Sequence, residues 1–181
     1  MWTPDPSKLV KIAIHSQGED VETPFAEDLG PADGPPGSRR VRIGNVLFLH
    51  AKPTYEDVVI ASPDEDGRLT WDTQGMQYDA VCERLDEDSG RWTMIVEYEV
   101  EAGSDVVTAF KALDLAGMDA DIAVEGLSSP KPGKPGRAYL AMPGALRVDA
   151  ARAFLRGLDV PMTFEVVHPV DDKEPAATDS V

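Results

Sequence analysis

The chain has 181 residues, enough for one good-sized domain or two small subdomains, and its 42% hydrophobic content excludes a wholly disordered polymer. Its 33 acidic residues against 17 basic ones give a formal net charge of −16, a field that repels nucleic acid and anionic lipid and speeds encounter with a basic partner. The single cysteine, Cys82, excludes an internal disulfide. With no basic, apolar leader and no membrane-length apolar run, the expectation is a cytoplasmic protein with no nucleic-acid or membrane partner.

In chain order, Val10, Ile12 and Ile14 alternate with Lys11 and Ala13 as in a half-buried strand. Gly30 to Ser38 holds three prolines and three glycines and predicts a surface loop. Val41 and Ile43 alternate in the next strand, which breaks at Gly44-Asn45 before the apolar run Val46 to Leu49. Val58 to Ala61 and Leu69 to Trp71 flank Ser62-Pro63-Asp64-Glu65-Asp66-Gly67, a hairpin with proline early and glycine last. These strands predict a small antiparallel β subdomain over 8–75, a curled sheet or partial barrel.

Tyr78 to Leu85 reads as a further strand. It leads through Asp86 to Gly90 into the clearest one, Arg91 to Glu101, where Trp92, Met94, Val96, Tyr98 and Val100 share one face. Thr93, Glu97, Glu99 and Glu101 share the other, with Ile95 as the exception. Ser104 is the expected N-cap of a helix whose apolar stripe is Val106, Ala109, Phe110, Leu113 and Ala116, with Gly117 as its stop. Strands are expected at Asp119 to Glu125 and Arg137 to Met142, joined by the proline- and glycine-rich loop Ser128 to Gly136. Asp149 is the expected cap of a second helix, carrying Ala150, Ala151, Phe154, Leu155 and Leu158, and Met162, Phe164 and Val166 mark a last strand. The order over 76–168 is β-α-β-β-α-β, so the fold class is α+β, a β subdomain followed by a ferredoxin-like sandwich. Residues 169–181 are expected to form a disordered acidic tail.

In that topology the first and last strands are neighbours, which brings Glu97, Glu99 and Glu165 onto the face away from the helices and predicts an acidic open face. Glu97, Glu99, Glu101 and Glu165 are therefore the candidate partner-binding residues. Three segments, Val21-Glu22-Thr23-Pro24-Phe25-Ala26-Glu27, Arg42-Ile43-Gly44-Asn45-Val46-Leu47-Phe48 and Asp57-Val58-Val59 running into Pro63-Asp64-Glu65-Asp66-Gly67, carry a family resemblance. On them the chain resembles the bacterial family known as domain of unknown function 4265, with a weaker continuation through the β-α-β-β-α-β half. The resemblance implies no activity and transfers no active-site residues.

No catalytic or metal set emerges from the spacing. His15, His50 and His168 stand apart from one another and from any cysteine at ligand spacing. The segment Ser62 to Thr73 has Asp64, Asp66 and Gly67 placed as in a calcium loop, but Thr73 occupies the position that demands a bidentate glutamate. His50 or His168 beside Cys82 would suit a thiol nucleophile, yet a lone cysteine in an apolar stretch behaves as a small buried hydrophobe. No nucleophile elbow, phosphate loop or dinucleotide fingerprint is present. Lys131 and Lys134 sit in a loop able to grip an anion. The expected function is a non-enzymatic acidic module, immunity- or antitoxin-like, that occludes a basic protein such as a toxin, with neither catalytic residues nor cofactor. A regulatory domain binding a small molecule as a homodimer is the second reading, and an enzyme of unfamiliar type the third.

Overall fold

A computed structural model describes residues 2–15, 21–50, 52–72, 85–131 and 134–169. The chain divides into two compact units, Trp2–Arg91 and a second that begins at Trp92. The sequence pattern alone places the division at 75/76. Leu85 to Gly90 belongs with the first unit because the Val58 N–H donates to the Glu87 carbonyl, in a bridge that continues the ladder.

The first unit begins with a 3-10 turn, Pro6–Lys8, in which the Asp5 carboxylate accepts the Ser7 N–H at 2.9 Å. Its strands are β1 (Leu9–Lys11), β2 (Ala13–His15), β3 (Val21–Glu22), β4 (Phe25–Pro31), β5 (Arg39–Ile43), β6 (Val58–Pro63) and β7 (Leu69–Asp72). Among the described residues they form one seven-stranded sheet in the order β1-β4-β5-β6-β7-β2-β3. Only Ile12 separates β1 from β2, so a single extended stretch pairs with β4 at one end of the order and with β7 near the other. That shared stretch forces the sheet to curl. Inside it lie Ile12, Ile14, Ala26, Val41, Ile43, Leu47, Val59, Ala61 and Trp71.

Two expectations change here. The sheet is not wholly antiparallel, because β2 runs parallel to β7, Ile14 opposite Trp71. Gly30 and Pro31 finish β4 instead of opening a loop, pairing with Arg40 and Arg39 across a bulge after Asp28. The loop itself is 32–38, its ends joined by the Ala32 N–H donating to the Ser38 carbonyl. At the β6–β7 hairpin the Asp64 carboxylate accepts the Asp66 and Arg68 amides at 2.9 and 2.8 Å, the turn chemistry expected of this segment.

The second unit contains β8 (Trp92–Val100), α1 (Val106–Asp119), β9 (Ala123–Ser128), β10 (Gly136–Met142), α2 (Val148–Gly157) and β11 (Met162–His168). Its sheet has the order β11-β8-β10-β9, with every neighbouring pair antiparallel. Trp92, Met94, Val96 and Tyr98 of β8 and Ala138, Leu140 and Met142 of β10 pack with Ala109 and Leu113 of α1 and Ala151 and Leu155 of α2. The caps differ from expectation. Asp105, not Ser104, caps α1, its carboxylate accepting the Thr108 N–H at 2.8 Å. Gly117 is not the stop, since α1 continues to Asp119. At α2 the cap residue is Arg147, whose side chain makes no capping bond, and Asp149 lies in the first turn, where its charge suits the helix dipole. Cys82, the strand expected at 78–85 apart from Leu85, and the tail from 170 lie outside the described residues.

Candidate functional site

The period of β8 decides which side chains leave the core. Alternate residues from Trp92 to Tyr98 point to the helices, so Thr93, Ile95, Glu97 and Glu99 take the opposite face. Register then builds rows across that face. Glu165 of β11 and Arg137 of β10 both lie opposite Glu97, on its two sides. Like charges directly opposite one another in a ladder repel. Arg137 counters the repulsion, its guanidinium donating to the Glu97 carboxylate at 2.7 Å. In the next row Glu99 faces Thr163. Glu99 and Glu165 are exposed, whereas Glu97 is partly covered and committed to Arg137.

Two parts of the expectation do not hold. Glu101 is exposed but lies beyond the end of β8, its N–H donating to the Pro161 carbonyl, and so stands outside the rows. Nor is the face acidic throughout, because Thr93, Ile95, Tyr139 and Ala141 on it are buried. The acidic part is its Glu97, Glu99 and Glu165 end.

Sequence reading missed a second polar cluster, in the first unit. Asp57, fully buried, accepts the Thr54 N–H at 2.7 Å, the Ser89 N–H at 2.8 Å, the Ser89 hydroxyl at 2.5 Å and the Lys52 ammonium at 3.2 Å. Lys52 also donates to Asp88 at 2.6 Å. Beside this knot Glu56 adopts a left-handed backbone, φ 71°. Its carboxylate accepts the Trp2 N–H at 2.9 Å and the buried Arg91 guanidinium at 2.8 Å, and Arg91 lies 5.5 Å from the Tyr55 ring centroid. These partners hold a conformation that costs roughly 1–2 kcal/mol.

Glu22, on the same unit, accepts the Phe48 and Leu49 amides at 2.6 and 2.9 Å. Its carboxylate stands 3.8 Å from Nδ1 of His50, a fully buried ring whose two nitrogens have no hydrogen-bond partner among the described residues. The three segments that carry the family resemblance meet around these groups. Glu22 binds the Phe48 amide, the Phe25 carbonyl accepts the Gly44 N–H at 2.8 Å, and the Asp57 carbonyl accepts the Ile43 N–H at 2.8 Å.

Burial pushes the His50 pKa below its ordinary 6.5 and the Glu22 pKa above 4.5, the two backbone donors acting against the latter. The unfolded chain takes up the histidine proton near 6.5 and the folded chain only at lower pH, so the His50 contribution destabilises the fold as pH falls below 6.5. Glu22 has the opposite sign: its raised pKa returns stability as pH falls through it. His50→Leu is expected to raise stability by about 1 kcal/mol, since no hydrogen bond to a described residue is lost, and to flatten the decline below pH 6.5. Urea midpoints measured across that range check both effects.

Neither Asp57 nor His50 presents surface to a substrate. Asp57 is saturated with donors, and His50 has no exposed surface. Lys131 and Lys134 are exposed, joined by reciprocal backbone bonds at 2.8 Å. A shallow depression of about 370 Å³ lies among Lys8, Leu9, Asp28 and Arg39. The Arg39 guanidinium there is already bound to the Asp28 carboxylate at 2.5 to 3.0 Å. Among the described residues no three His, Cys, Asp or Glu side chains gather as a metal site, and no helix is long and apolar enough to cross a membrane. No protein-family model, curated protein or solved structure matches the chain.

Proposed function

We propose that this protein is a non-enzymatic, cytoplasmic binding module of the immunity or antitoxin kind, which uses the acidic end of its four-stranded sheet to occlude a basic protein such as a toxin. The observation that carries the reading is the pairing of Glu165 with Glu97, next to Glu99, with Glu99 and Glu165 exposed. Carboxylates brought together by register are preorganised for a cationic surface, and the net charge of −16 steers such a partner inward. Arg137 orients Glu97 without neutralising the other two.

Two further elements belong to the proposal. The strand order β11-β8-β10-β9 with two helices supports a ferredoxin-like reading of the second unit. The convergence of the resembling segments on one knot of the first unit supports membership of the domain of unknown function 4265 family.

The test is capture from native host lysate on the immobilised full chain, beside a Glu99→Lys/Glu165→Lys variant. A stoichiometric basic protein is expected on the wild type, released by salt. On the variant its affinity is expected to fall about tenfold or more at low salt. No bound protein, or one held equally by the variant, would overturn the reading.

A further inference from the structure

Two strands end the sheet of the second unit, β9 and β11, and among the described residues β11 pairs only with β8. That ladder fixes what the free edge offers. The Glu101 N–H donates to the Pro161 carbonyl at 3.0 Å, and in an antiparallel pair such bonded positions recur every two residues. Thr163 and Glu165 therefore turn their backbone groups to β8, while Phe164 and Val166 turn theirs outward, toward no described strand. The Met162 N–H is already engaged by the Val160 carbonyl at 2.7 Å, and a register shift between Val166 and His168 ends the regular run. An edge of unpaired N–H and carbonyl groups is where a further strand adds.

The two faces of this edge differ. Thr163 and Glu165 are exposed on the open face, and Phe164 and Val166 pack half-buried against the core on the helix side. Behind Glu165 stands Glu97, and behind Thr163 stands Glu99, each one strand further in. Arg137 answers Glu97, and exposed Glu101, beyond the end of β8, has the sign of the other carboxylates. The helix side has no acidic excess: α2 and its flanks carry Arg147, Arg152 and Arg156 against Asp149 and Asp159. Charge thus identifies the occupant as a cationic segment held on the open face of β11. At the other edge the same segment would meet Lys131 and Lys134, in the hairpin that β9 enters. A second copy of the chain is repelled, since each carries −16 and brings Glu165 on its own edge.

We propose, on the binding reading above, that the basic partner adds a strand antiparallel to the free edge of β11. It places lysine or arginine opposite Thr163 and Glu165, with an apolar residue between them, opposite Phe164. Glu165 then stands in a non-bonded pair, the kind in which facing residues come closest, about 4.5 Å between Cα atoms. A long cation opposite Thr163 reaches over the small threonine toward Glu99. The apolar residue extends the layer of Phe164 and Val166, and its backbone bonds the outward groups of Phe164. Charge on the open face and alternation along the strand together select the segment.

An eight-residue peptide of alternating lysine and valine tests this with the full chain at low salt, beside two N-methylated derivatives of the same charge. Methyl groups on the valine nitrogens remove the donors that face β11, whereas those on the lysine nitrogens remove donors that face solvent. The unmodified and lysine-methylated peptides are expected to bind alike, and the valine-methylated one about tenfold more weakly or worse. On binding, the Phe164 and Val166 amides are expected to gain protection from hydrogen exchange. Glu99→Lys/Glu165→Lys is expected to weaken every peptide. Where that variant does so but the two methylated peptides bind equally and the two amides stay unprotected, strand addition is overturned while the acidic face stands. A variant that holds the peptides as tightly as the wild type would overturn the acidic face and strand addition together. An unmodified peptide that does not bind also overturns strand addition.

Discussion

Asp57→Ala is expected to destabilise the first unit by about 3–5 kcal/mol, the range found when one partner of a buried charged pair is removed. The substitution strips an acceptor from the Thr54 amide, the Ser89 amide and hydroxyl, and the Lys52 ammonium at once. Thr54 is itself fully buried, so water cannot replace the lost bond without opening the loop. Small proteins are stable by only about 5–15 kcal/mol, and the loss is a large share of that. Burial pushes the Asp57 carboxyl above its ordinary 3.8, with Lys52, Ser89 and Thr54 acting against the rise. A group whose folded pKa is raised contributes stability that is full below the unfolded value and declines as pH rises through the folded one. An asparagine in its place would mimic the neutral form and keep one acceptor. Asp57→Asn is therefore expected to lose less, roughly 1–2 kcal/mol. Urea denaturation of the three proteins near neutral pH gives the order. An alanine variant as stable as the wild type would mean that the knot is idle.

What the sequence reveals and what it hides divide along a physical line. The alternation from Trp92 to Val100 is legible because a strand with one face in the core must repeat every two residues, and the structure has Met94, Val96 and Tyr98 in that core. The hairpin at Asp64 is legible because the turn is closed by its own side chain. The parallel pairing of β2 with β7 is not, since nothing local in Ala13 to His15 records a partner more than fifty residues away. Strand β4 is hidden for another reason: its final Gly30 and Pro31 carry loop chemistry and still pair, at a bulge beside β5. For the candidate site, Glu97 and Glu165 can be placed together because strand order and period suffice. Arg137, the counter-charge between the strands, needs the register of β10. Asp57 and His50 are invisible as a pair of buried polar groups because their burial is set by Ser89, Glu22 and the surrounding core, all distant in sequence. The aspartate lies next to an apolar run, and the histidine follows one, so composition alone gives each the look of an ordinary strand flank.

Gly117→Ala reverses the usual sign of a glycine-to-alanine change inside a helix. On propensity alone the alanine would add about 1 kcal/mol of stability. The helix stop lies four residues later. Asp121 adopts the left-handed conformation, φ 57°, the Ile122 N–H donates back to the Gly117 carbonyl at 2.7 Å, and the Asp121 N–H donates to the Met118 carbonyl at 3.2 Å. These two bonds are the Schellman closure, with an aspartate where glycine is commonest. The closure turns the chain so sharply into β9 that a Cβ on residue 117 would stand 2.8 Å from the Ile122 carbonyl oxygen and 2.8 Å from a Val124 methyl. The oxygen belongs to the backbone of the turn itself and cannot swing aside as a side chain can. Either the last turn of α1 lifts off β9 or the closure breaks, and overpacking of this kind costs typically about 1–3 kcal/mol. The expected result is a net loss of that order, seen as a lower urea midpoint at an unchanged slope. A midpoint equal to or above the wild type would show that the contact relaxes without penalty, and that Gly117 is present for a reason other than the close approach of α1 to β9.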